Sequence, residues 1–392
     1  MSSLRLEVAD IFRQHEQEFF ARCGSTLTAQ QRRVYRDICD CRTAACGARV
    51  EQCDQCSERT LCFNSCGNRH CPRCQSSARD RWLTKMARDL IPVPYCHVVF
   101  TLPSQLIPLA YENARIIYNL LFQAASEALL TIAGDPKRMG AKVGFLAVLH
   151  TWNQKLGLHP HLHCLVPAGG LSNDRSRWIH SSKRFFLPVR VLGSRFRNQF
   201  LKLLVAAWRT GKLRLTGSVT HLRQPAAFGR LLSQLKRLKW VVYAKRPFGG
   251  PEYVLKYLAR YTHRVAISSG RLISSENGKV TFRWRDSANG NQQKPMTLDA
   301  VEFIRRFLQH VLPPGFVKIR HFGLMANPCR KKSLLIVRAL LGSGAEPEIT
   351  LSTEQRAALD RRCTACGAGR LIVLGWLPPS LAILVYSGVN SS

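Results

Sequence analysis

Apolar runs along the chain predict four β-strands. Residues 96–102 (CHVVFTL), 143–150 and 161–166 are rich in β-branched, aromatic and other apolar side chains, and 240–244 is a shorter run of the same kind. Proline directly follows the first and the third of these runs. Runs of this length that end at turn residues are typical of strands.

Other segments carry apolar positions at helical spacing. The longest, residues 107–133, is closed by Gly134-Asp135-Pro136, which is a helix stop signal. Helices are also predicted over 2–20, 78–90, 196–208 and 251–264. Because strands and helices do not alternate regularly, we expect an α+β fold with an antiparallel sheet.

The composition predicts a folded protein that binds a polyanion. The chain has 392 residues, 46% of them hydrophobic, which suffices for two or three domains with hydrophobic cores. Its 58 Lys and Arg residues against 24 Asp and Glu residues give a formal net charge of +34. Nucleic acid is the usual partner of such a surface, and the scarcity of acids disfavours enzymes that assemble many carboxylates.

The positive charge is concentrated in residues 175–250, which contain 18 Lys or Arg residues and no Asp or Glu. A solvated surface normally mixes both signs, so this basic window predicts contact with phosphates. Arginines near the cysteines described below, Arg69 and Arg73 among them, are further candidates for DNA binding.

Neither a signal peptide nor a membrane span is predicted. Charged residues interrupt the amino-terminal segment, unlike the apolar core of a signal peptide. The longest apolar run, residues 371–386, is shorter than the roughly 20 residues of a spanning helix and contains Pro378-Pro379. We therefore expect a cytoplasmic protein with reduced cysteines, no membrane association and a poorly specified carboxyl tail.

Nine of the fifteen cysteines lie within residues 39–74, which predicts a domain folded around metal. Cys53-x2-Cys56 and Cys71-x2-Cys74 are separated by fourteen residues, a spacing typical of two knuckles that share one tetrahedral Zn²⁺. An all-protein ligand shell leaves no position for water, so the predicted role of this zinc is structural.

A second zinc site is expected in the same region, from Cys41, Cys46, Cys66 and His70. Cys39 and Cys62 are alternative ligands, and spacing alone does not choose among the six. The pair Cys363-x2-Cys366 stands by itself near the carboxyl end and is interpreted as the remnant of a two-knuckle site.

Three histidines lie close together in the segment LGLHPHLHCLVPAGG. His161 and His163 flank Leu162 on a predicted strand, and alternation places both imidazoles on one face while Leu162 points into the core. A single strand histidine is usually an ordinary polar group. Two on one face of an apolar strand favour binding of a shared metal ion.

A predicted helix carries a row of tyrosines in the segment EYVLKYLARYTHR. Tyr253, Tyr257 and Tyr261 recur every four residues and line one face. That spacing alone is typical of an aromatic core stripe. Core stripes seldom carry cations, however, and four basic residues stand beside these tyrosines: Lys256, Arg260, His263 and Arg264. Cations favour approach to a phosphate and loss of the phenolic proton, as a nucleophile requires.

Five motifs together resemble a known family. They are NSCGNRHCPRCQ, VVFTLP, VLHTWNQKLGLHPHLHCLVPAGG, YLARYTHRVAIS and VKIRHFGLMAN. In this order, from about Cys41 to Asn327, they are similar to the rolling-circle transposases of the insertion-sequence 91 family, within the HUH endonuclease superfamily. The resemblance covers most of the chain.

The resemblance implies an HUH endonuclease domain with a central antiparallel sheet flanked by helices, preceded by a small zinc-binding domain. The implied domains are a helical segment at 1–36, the zinc-binding DNA-recognition domain at 37–80, the catalytic domain at 81–340 with a basic DNA-binding insertion at 175–250, and a divergent tail with a Cys-x2-Cys knuckle at 341–392. Arg49 stands where many relatives have a histidine, so Cys46 replaces that ligand or the second zinc site is incomplete.

The resemblance also implies site residues. His161 and His163 would hold Mg²⁺ or Mn²⁺, Tyr257 and Tyr261 would be the nucleophiles, and Tyr253 would be a packing residue. The third metal ligand would be His150, Gln154 or His159, with His150 preferred because it lies on the preceding strand. One or two Zn²⁺ ions would fold the amino-terminal domain.

The implied function is transposition. The enzyme would nick single-stranded or hairpin DNA at element ends through a 5′-phosphotyrosine intermediate and would act at the nucleoid in the bacterial cytoplasm. Alternatives are a plasmid-type replication initiator or relaxase, a non-catalytic zinc-dependent DNA-binding relic, and a carboxylate-triad transposase with an RNase-H-like fold. The oligomeric state is not predicted.

Overall fold

A computed structural model describes residues 6–182, 186–245, 247, 249–250, 253–254, 266–286, 289–342 and 362–389. Its helices are α1 (Val8–Gln14), α2 (Glu16–Cys23), α3 (Ala29–Asp40), α4 (Gln75–Ala87), α5 (Ile107–Glu112), α6 (Ala114–Gly134), α7 (Val189–Arg209), α8 (Pro225–Arg237), α9 (Ala300–Leu308), α10 (Arg330–Leu340) and α11 (Pro379–Val389). Its strands are β1 (Ala48–Cys53), β2 (Arg59–Phe63), β3 (Tyr95–Thr101), β4 (Gly144–Trp152), β5 (Leu158–Pro167), β6 (Gly169–Leu171), β7 (Trp178–His180), β8 (Val242–Ala244), β9 (Leu272–Glu276), β10 (Lys279–Asp286), β11 (Gln292–Asp299), β12 (Ile319–Gly323) and β13 (Leu371–Leu377). The mixture of helices and antiparallel sheets confirms the predicted α+β class.

The chain divides into two compact units. The first combines Met1–Arg81, His263–Val311 and Glu348–Ser392, and the second combines Trp82–Thr262 and Leu312–Pro347. In the first unit, residues 263–311 group with the amino-terminal segment.

Aromatic packing explains that grouping in the first unit. The ring of Phe12 on α1 lies 5.4 Å from the ring of Phe307 on α9 and 4.9 Å from the ring of Tyr35 on α3. The side chain of Gln31 donates a 3.0 Å hydrogen bond to the carbonyl of Leu308. Helices distant in sequence therefore share one core.

Two three-stranded antiparallel sheets complete the first unit, in the orders β13-β1-β2 and β11-β10-β9. Strand β13 pairs with β1 from Ala48 opposite Leu377 to Cys53 opposite Leu371. The expectation of a poorly specified tail is therefore wrong for residues 371–377, which add an edge strand to the sheet beside the cysteines.

The second unit contains a five-stranded antiparallel sheet in the order β12-β4-β5-β3-β8. One face packs on α6 and α7, where the rings of Phe100 and Phe196 lie 5.1 Å apart. The opposite face carries a smaller buried cluster, here called the second cluster, whose members include Leu146, Val148, Leu165, Val254, Leu334 and Val337. The sheet is thus covered on both sides.

The helix predicted over 107–133 is two helices in the structure, because Asn113 interrupts it. The buried side chain of Asn113 accepts a 2.7 Å hydrogen bond from the amide of Arg214 and donates a 2.9 Å bond to its carbonyl. The longer part, α6, is apolar enough and long enough to cross a membrane by composition alone. Its 18-residue apolar window is 61% buried within the unit, as in a core helix of a globular protein.

Candidate metal centres

Among the described residues, three groups of side chains could each hold a metal ion, with the ligand atoms of each group within 4.8 Å of one another. They are the histidine group (His150, His161 and His163), the first cysteine group (Cys41, Cys66, Cys71 and Cys74) and the second cysteine group (Cys53, Cys56, Cys363 and Cys366).

The histidine group lies on two neighbouring strands. His161 and His163 are two residues apart on β5, and their Nε2 atoms are 3.1 Å apart. Leu162 between them is fully buried in the core under α6 and α7, so the predicted alternation is confirmed. His150 on β4 is directly opposite His161 in the antiparallel register, and this pairing brings the third imidazole to the other two.

Of the two histidines considered as third ligand, His150 joins the group and His159 does not. His159 contributes its carbonyl, which accepts a 2.7 Å hydrogen bond from Nδ1 of His161. Because a carbonyl can only accept, Nδ1 carries the proton and Nε2 of the neutral ring keeps its lone pair, directed at His163. Gln154 stays a candidate.

Burial keeps the imidazoles of His161 and His163 neutral. Loss of solvation lowers the pKa of His161 to about 4 and lowers the pKa of His163 well below its ordinary range. The positive charges that His150 and His161 would carry lower the pKa of His163 further. Neutral imidazole is the form that coordinates a metal ion.

His97 on β3 also belongs to this site, although the sequence analysis did not identify it. Its Nε2 lies 2.8 Å from Nδ1 of His163, and the two rings are 7° from parallel. Burial and the nearby charge of Lys245 lower the pKa of His97 to about 3. In the sequence, the only indication of this role is that a histidine interrupts the apolar run CHVVFTL. Its partner, His163, is brought to it by the pairing of β3 with β5.

The first cysteine group gathers Cys41 after α3 with Cys66 and the two cysteines before α4. The sulfur of Cys74 lies 3.5 Å from that of Cys41 and 3.6 Å from that of Cys66. Zn–S bonds of about 2.3 Å in a tetrahedron place sulfurs about 3.8 Å apart, whereas a disulfide needs about 2.05 Å. The four sulfurs therefore suit a zinc ion.

Cys46 and His70 were predicted as zinc ligands, but the structure does not bring them into this group. The thiol of Cys46 donates a 3.1 Å hydrogen bond to the carbonyl of Asp40, and Nδ1 of His70 lies 3.1 Å from Oδ1 of Asn68. The cysteines before α4 take their places, because the start of that helix lies beside the end of α3.

The two knuckles predicted to share one zinc, Cys53-x2-Cys56 and Cys71-x2-Cys74, also lie in different groups in the structure. The first knuckle is the turn between β1 and β2, and it faces Cys363-x2-Cys366. The latter pair is therefore not a remnant without a partner. Spacing missed this arrangement because the partner knuckle arrives through the pairing of β13 with β1.

Tyr257 and Tyr261 lie outside the described residues, as do Lys256, Arg260 and Arg264. Two neighbours are described. Tyr253, expected to be a packing residue, is 62% exposed. Val254 is fully buried in the second cluster, whose sheet residues share a face with the histidine group.

The arginines predicted to bind DNA in the zinc domain differ in their contacts. Arg73 forms an ion pair with Glu7 and donates a 2.8 Å hydrogen bond to the carbonyl of Cys41. Its guanidinium therefore joins α1 to the first cysteine group. Arg69 is exposed, and its contact with DNA stays a prediction.

Much of the basic window forms helices α7 and α8. Phe196 and Phe200 bury one side of α7 in the core of the second unit. Lys202, Arg209 and Lys236 are exposed and line one groove between the two helices. The described part of the window thus forms a layer of this unit, and these three cations face outward.

Comparisons with known proteins show which family the chain resembles. Residues 144–333 match the family described as "Putative transposase", and residues 11–102 match the "Transposase zinc-binding domain". The chain is 50% identical over 377 residues to "Putative transposase y4qJ" of Sinorhizobium fredii, covering 94% of each protein. It is 29% identical over 337 residues to "Transposase for insertion sequence element IS801" of Pseudomonas savastanoi pv. phaseolicola, covering 84% of this chain and 80% of that protein. No solved structure matches the chain.

The matched segments contain the geometry described above. The zinc-domain match includes all of the first cysteine group, and the transposase match includes all of the histidine group. The two relatives are matched over 94% and 80% of their lengths, so the likeness is not confined to one motif. The chain therefore belongs to the insertion-sequence 91 family of transposases and carries an amino-terminal zinc-binding domain.

Proposed function

We propose that this transposase nicks single-stranded DNA at element ends by attack of Tyr257 or Tyr261, and thereby catalyses rolling-circle transposition in the bacterial cytoplasm. The observation that carries the proposal is the histidine group, three imidazoles brought to one point by strands β4 and β5. A non-catalytic relic has no need to keep three histidines together on one face of a sheet.

The histidine group fits a divalent ion. His150, His161 and His163 would hold it, and three protein ligands leave coordination positions open for a phosphate oxygen. Nitrogen donors favour Mn²⁺ over Mg²⁺, because Mg²⁺ prefers oxygen ligands. When bound, the ion would polarise the scissile phosphate and offset the charge that develops there.

The burial of Val254 supports the choice of nucleophile. On the helix predicted over 251–264, Tyr257 and Tyr261 follow Val254 by three and seven positions and share its side. Val254 is buried with Val148 and Leu165, which lie on the same sheet face as the histidines. A continuous helix would direct both tyrosines toward that face.

The proposed step is a transesterification. The phenolic oxygen attacks phosphorus, a tyrosine–phosphorus bond forms, and the bond from phosphorus to the 3′ oxygen breaks. The tyrosine proton is lost to solvent and the 3′ oxygen takes up a proton, which leaves a 5′-phosphotyrosine and a free 3′-OH. The covalent bond conserves the phosphodiester energy, so rejoining requires no ATP. A second tyrosine one helical turn away can accept a second strand.

Exposed cations are proposed to bind the DNA backbone. Lys202, Arg209 and Lys236 line one groove on a unit whose basic window contains no acid. An unpaired or hairpin strand is the substrate that fits, because metal and tyrosine must both reach the same backbone phosphate.

The test is covalent capture of DNA. The purified protein is mixed with Mn²⁺ and labelled single-stranded DNA that spans an element end, and adducts that resist denaturation are counted. We expect an adduct that requires metal, persists in one or both single variants Tyr257→Phe and Tyr261→Phe, and disappears in the double variant.

Tyr253→Phe is the matched control, because this exposed tyrosine lies on the same segment and should leave the adduct unchanged. An adduct that survives in the double variant would assign the nucleophile to another residue. Binding of an authentic end without any covalent capture would support a DNA-binding relic instead. Cleavage that depends on Asp or Glu residues would support the carboxylate-triad alternative.

A further inference from the structure

We propose that the second cysteine group (Cys53, Cys56, Cys363 and Cys366) binds a structural Zn²⁺ that fastens the carboxyl-terminal segment to the amino-terminal zinc-binding domain. This site is independent of the proposed tyrosine chemistry. It makes the zinc-binding domain a structure built from both ends of the chain.

The sulfur positions match a tetrahedral zinc site. The sulfurs of Cys53 and Cys366 are 3.7 Å apart, and those of Cys56 and Cys363 are also 3.7 Å apart. Tetrahedral coordination with Zn–S bonds of about 2.3 Å requires about 3.8 Å, and a disulfide requires about 2.05 Å. Each close pair joins one cysteine of each knuckle, as a site shared by two knuckles requires.

The two knuckles fold in the same way. The amide of Ser57 donates a 3.2 Å hydrogen bond to the carbonyl of Cys53, and the amide of Gly367 donates a 2.9 Å bond to that of Cys363. The residue after the second cysteine is left-handed in both, with φ of 58° at Ser57 and 69° at Gly367. Backbone amides also point at sulfur, since Gly369 donates to Cys366 over 3.3 Å. Amides in this arrangement stabilise thiolates, the form that binds zinc.

The knuckles also fit against each other. A Cβ at Gly369 would overlap the sulfur of Cys53, so this position accepts only glycine at the present separation. Asp54 accepts a 2.7 Å hydrogen bond from the amide of Arg370 through its carboxylate and donates a 3.0 Å bond from its amide to the carbonyl of Arg370. These two hydrogen bonds hold the two turns together.

Strand pairing explains why the knuckles meet. Cys53 ends β1 and lies opposite Leu371, which begins β13. The knuckle that follows β1 and the knuckle that precedes β13 therefore lie at the same end of the sheet. Cys56 and Cys363 are 307 residues apart in sequence, so no local geometry holds them together. A metal ion that closes such a long loop has a large stabilising effect on the closed state.

The donor set selects the metal and its role. Four sulfurs in a closed shell favour Zn²⁺, and they leave no position for a reacting water. Cys53 and Cys363 are buried whereas Cys56 and Cys366 are exposed, which leaves a path for the ion to enter. The site is therefore structural.

The test is the zinc content of the full chain, measured by elemental analysis after removal of loosely bound metal. We expect Cys363→Ser/Cys366→Ser to lose one zinc per chain relative to wild type, and Cys53→Ser/Cys56→Ser to lose the same single zinc. The quadruple variant should lose no more than either double variant. Cys23→Ser, which alters a cysteine outside both groups, is the control and should retain the wild-type content.

Two outcomes would overturn the proposal: unchanged zinc in Cys363→Ser/Cys366→Ser, or loss of two zincs in the quadruple variant against one in each double.

A second measurement keeps all the cysteines, so that misfolding of a cysteine variant does not affect it. Co²⁺ alone is added to metal-free protein, and the visible bands of tetrahedral cobalt thiolate are titrated. Gly369→Ala keeps all eight cysteines of the two groups, yet it should weaken only one of the two cobalt-binding events. Equal binding at both sites in Gly369→Ala would contradict the predicted contact. None of these readings depends on the tyrosines or on the histidine group.

Discussion

Nε2 of His97 lies 2.8 Å from Nδ1 of His163, so a residue of β3 supports a candidate metal ligand of β5. A metal-binding imidazole is usually oriented by a hydrogen bond to its other ring nitrogen. His163 directs Nε2 at His161 and presents Nδ1 to His97. We therefore propose that His97 is a positioning residue of the proposed metal site.

Replacement of this positioning residue should weaken metal binding more than chemistry. We expect His97→Ala to raise the Mn²⁺ concentration for half-maximal adduct formation by about 10- to 100-fold, with a smaller effect at saturating Mn²⁺. His97→Gln keeps a hydrogen-bonding group and should recover part of the loss. His180→Ala removes an exposed histidine of β7 and is the control. An unchanged Mn²⁺ requirement in His97→Ala would contradict this role.

Substitution of His150 and of His159 tests which of these neighbouring histidines is the third metal ligand. His150→Ala should abolish metal-dependent adduct formation, because its ring is part of the histidine group. His159→Ala should retain most of it, because His159 contributes its carbonyl to His161. The measurement is the adduct yield over a range of Mn²⁺ concentrations. The opposite ranking of the two variants would assign the ligand to His159.

The groove between α7 and α8 should contribute to the salt dependence of DNA binding. Replacement of Lys202, Arg209 and Lys236 by alanine removes three exposed cations. We expect the slope of log affinity against log salt for single-stranded DNA to fall in magnitude by about 2, at about 0.7 per lost phosphate contact.

The control for the groove variant removes an equal charge elsewhere on the same unit. Lys137, Arg138 and Lys331 are exposed cations outside the groove. Their replacement by alanine should change the slope by less than one unit, on the order of a single lost contact. Equal changes of the slope in the two triple variants would mean that the salt dependence reflects only the net charge of the protein.

Glu302 on α9 should make the first unit sensitive to acid. Arg305 donates hydrogen bonds of 2.6 and 2.9 Å to its carboxylate and, with Arg306, lowers the pKa of Glu302 from 4.5 to about 2. Because the pKa is depressed in the folded state, the stabilisation is present above the ordinary value and is lost as the pH falls from there through the folded value. The pair is partly solvated, so its effect is small.

We therefore expect Glu302→Gln to lower the melting temperature of the full chain by about 1–3 °C near neutral pH and to have almost no effect near pH 2. Glu276→Gln, at an exposed carboxylate of β9, is the control. A difference between wild type and Glu302→Gln that stays constant across this pH range would show that the carboxylate charge is not the cause.

Local patterns predicted the elements that depend on nearby residues. Strand β5 and the common face of His161 and His163 followed from a period of two, which is set by the backbone of a single strand. The cysteine-rich stretch predicted zinc, because thiolates in Cys-x2-Cys turns are zinc ligands wherever they fold. The tail was expected to be poorly specified, because β13 forms its hydrogen bonds with β1, a strand that is distant in sequence.

The partners of these residues were decided only by tertiary structure. His150 joins His161 through the register of β4 with β5, and His97 reaches His163 through the pairing of β3 with β5. The predicted partner of Cys53-x2-Cys56 was the nearby knuckle Cys71-x2-Cys74. In the structure its partner is Cys363-x2-Cys366, in which Cys363 is 307 residues from Cys56, and strand pairing brings the two together. The sequence by itself determined which side chains can coordinate metal, since that is a property of each residue and its nearest neighbours. Hydrogen bonds between strands that are distant in the chain decide which of these side chains come together. The spacing of residues along one strand does not predict those bonds.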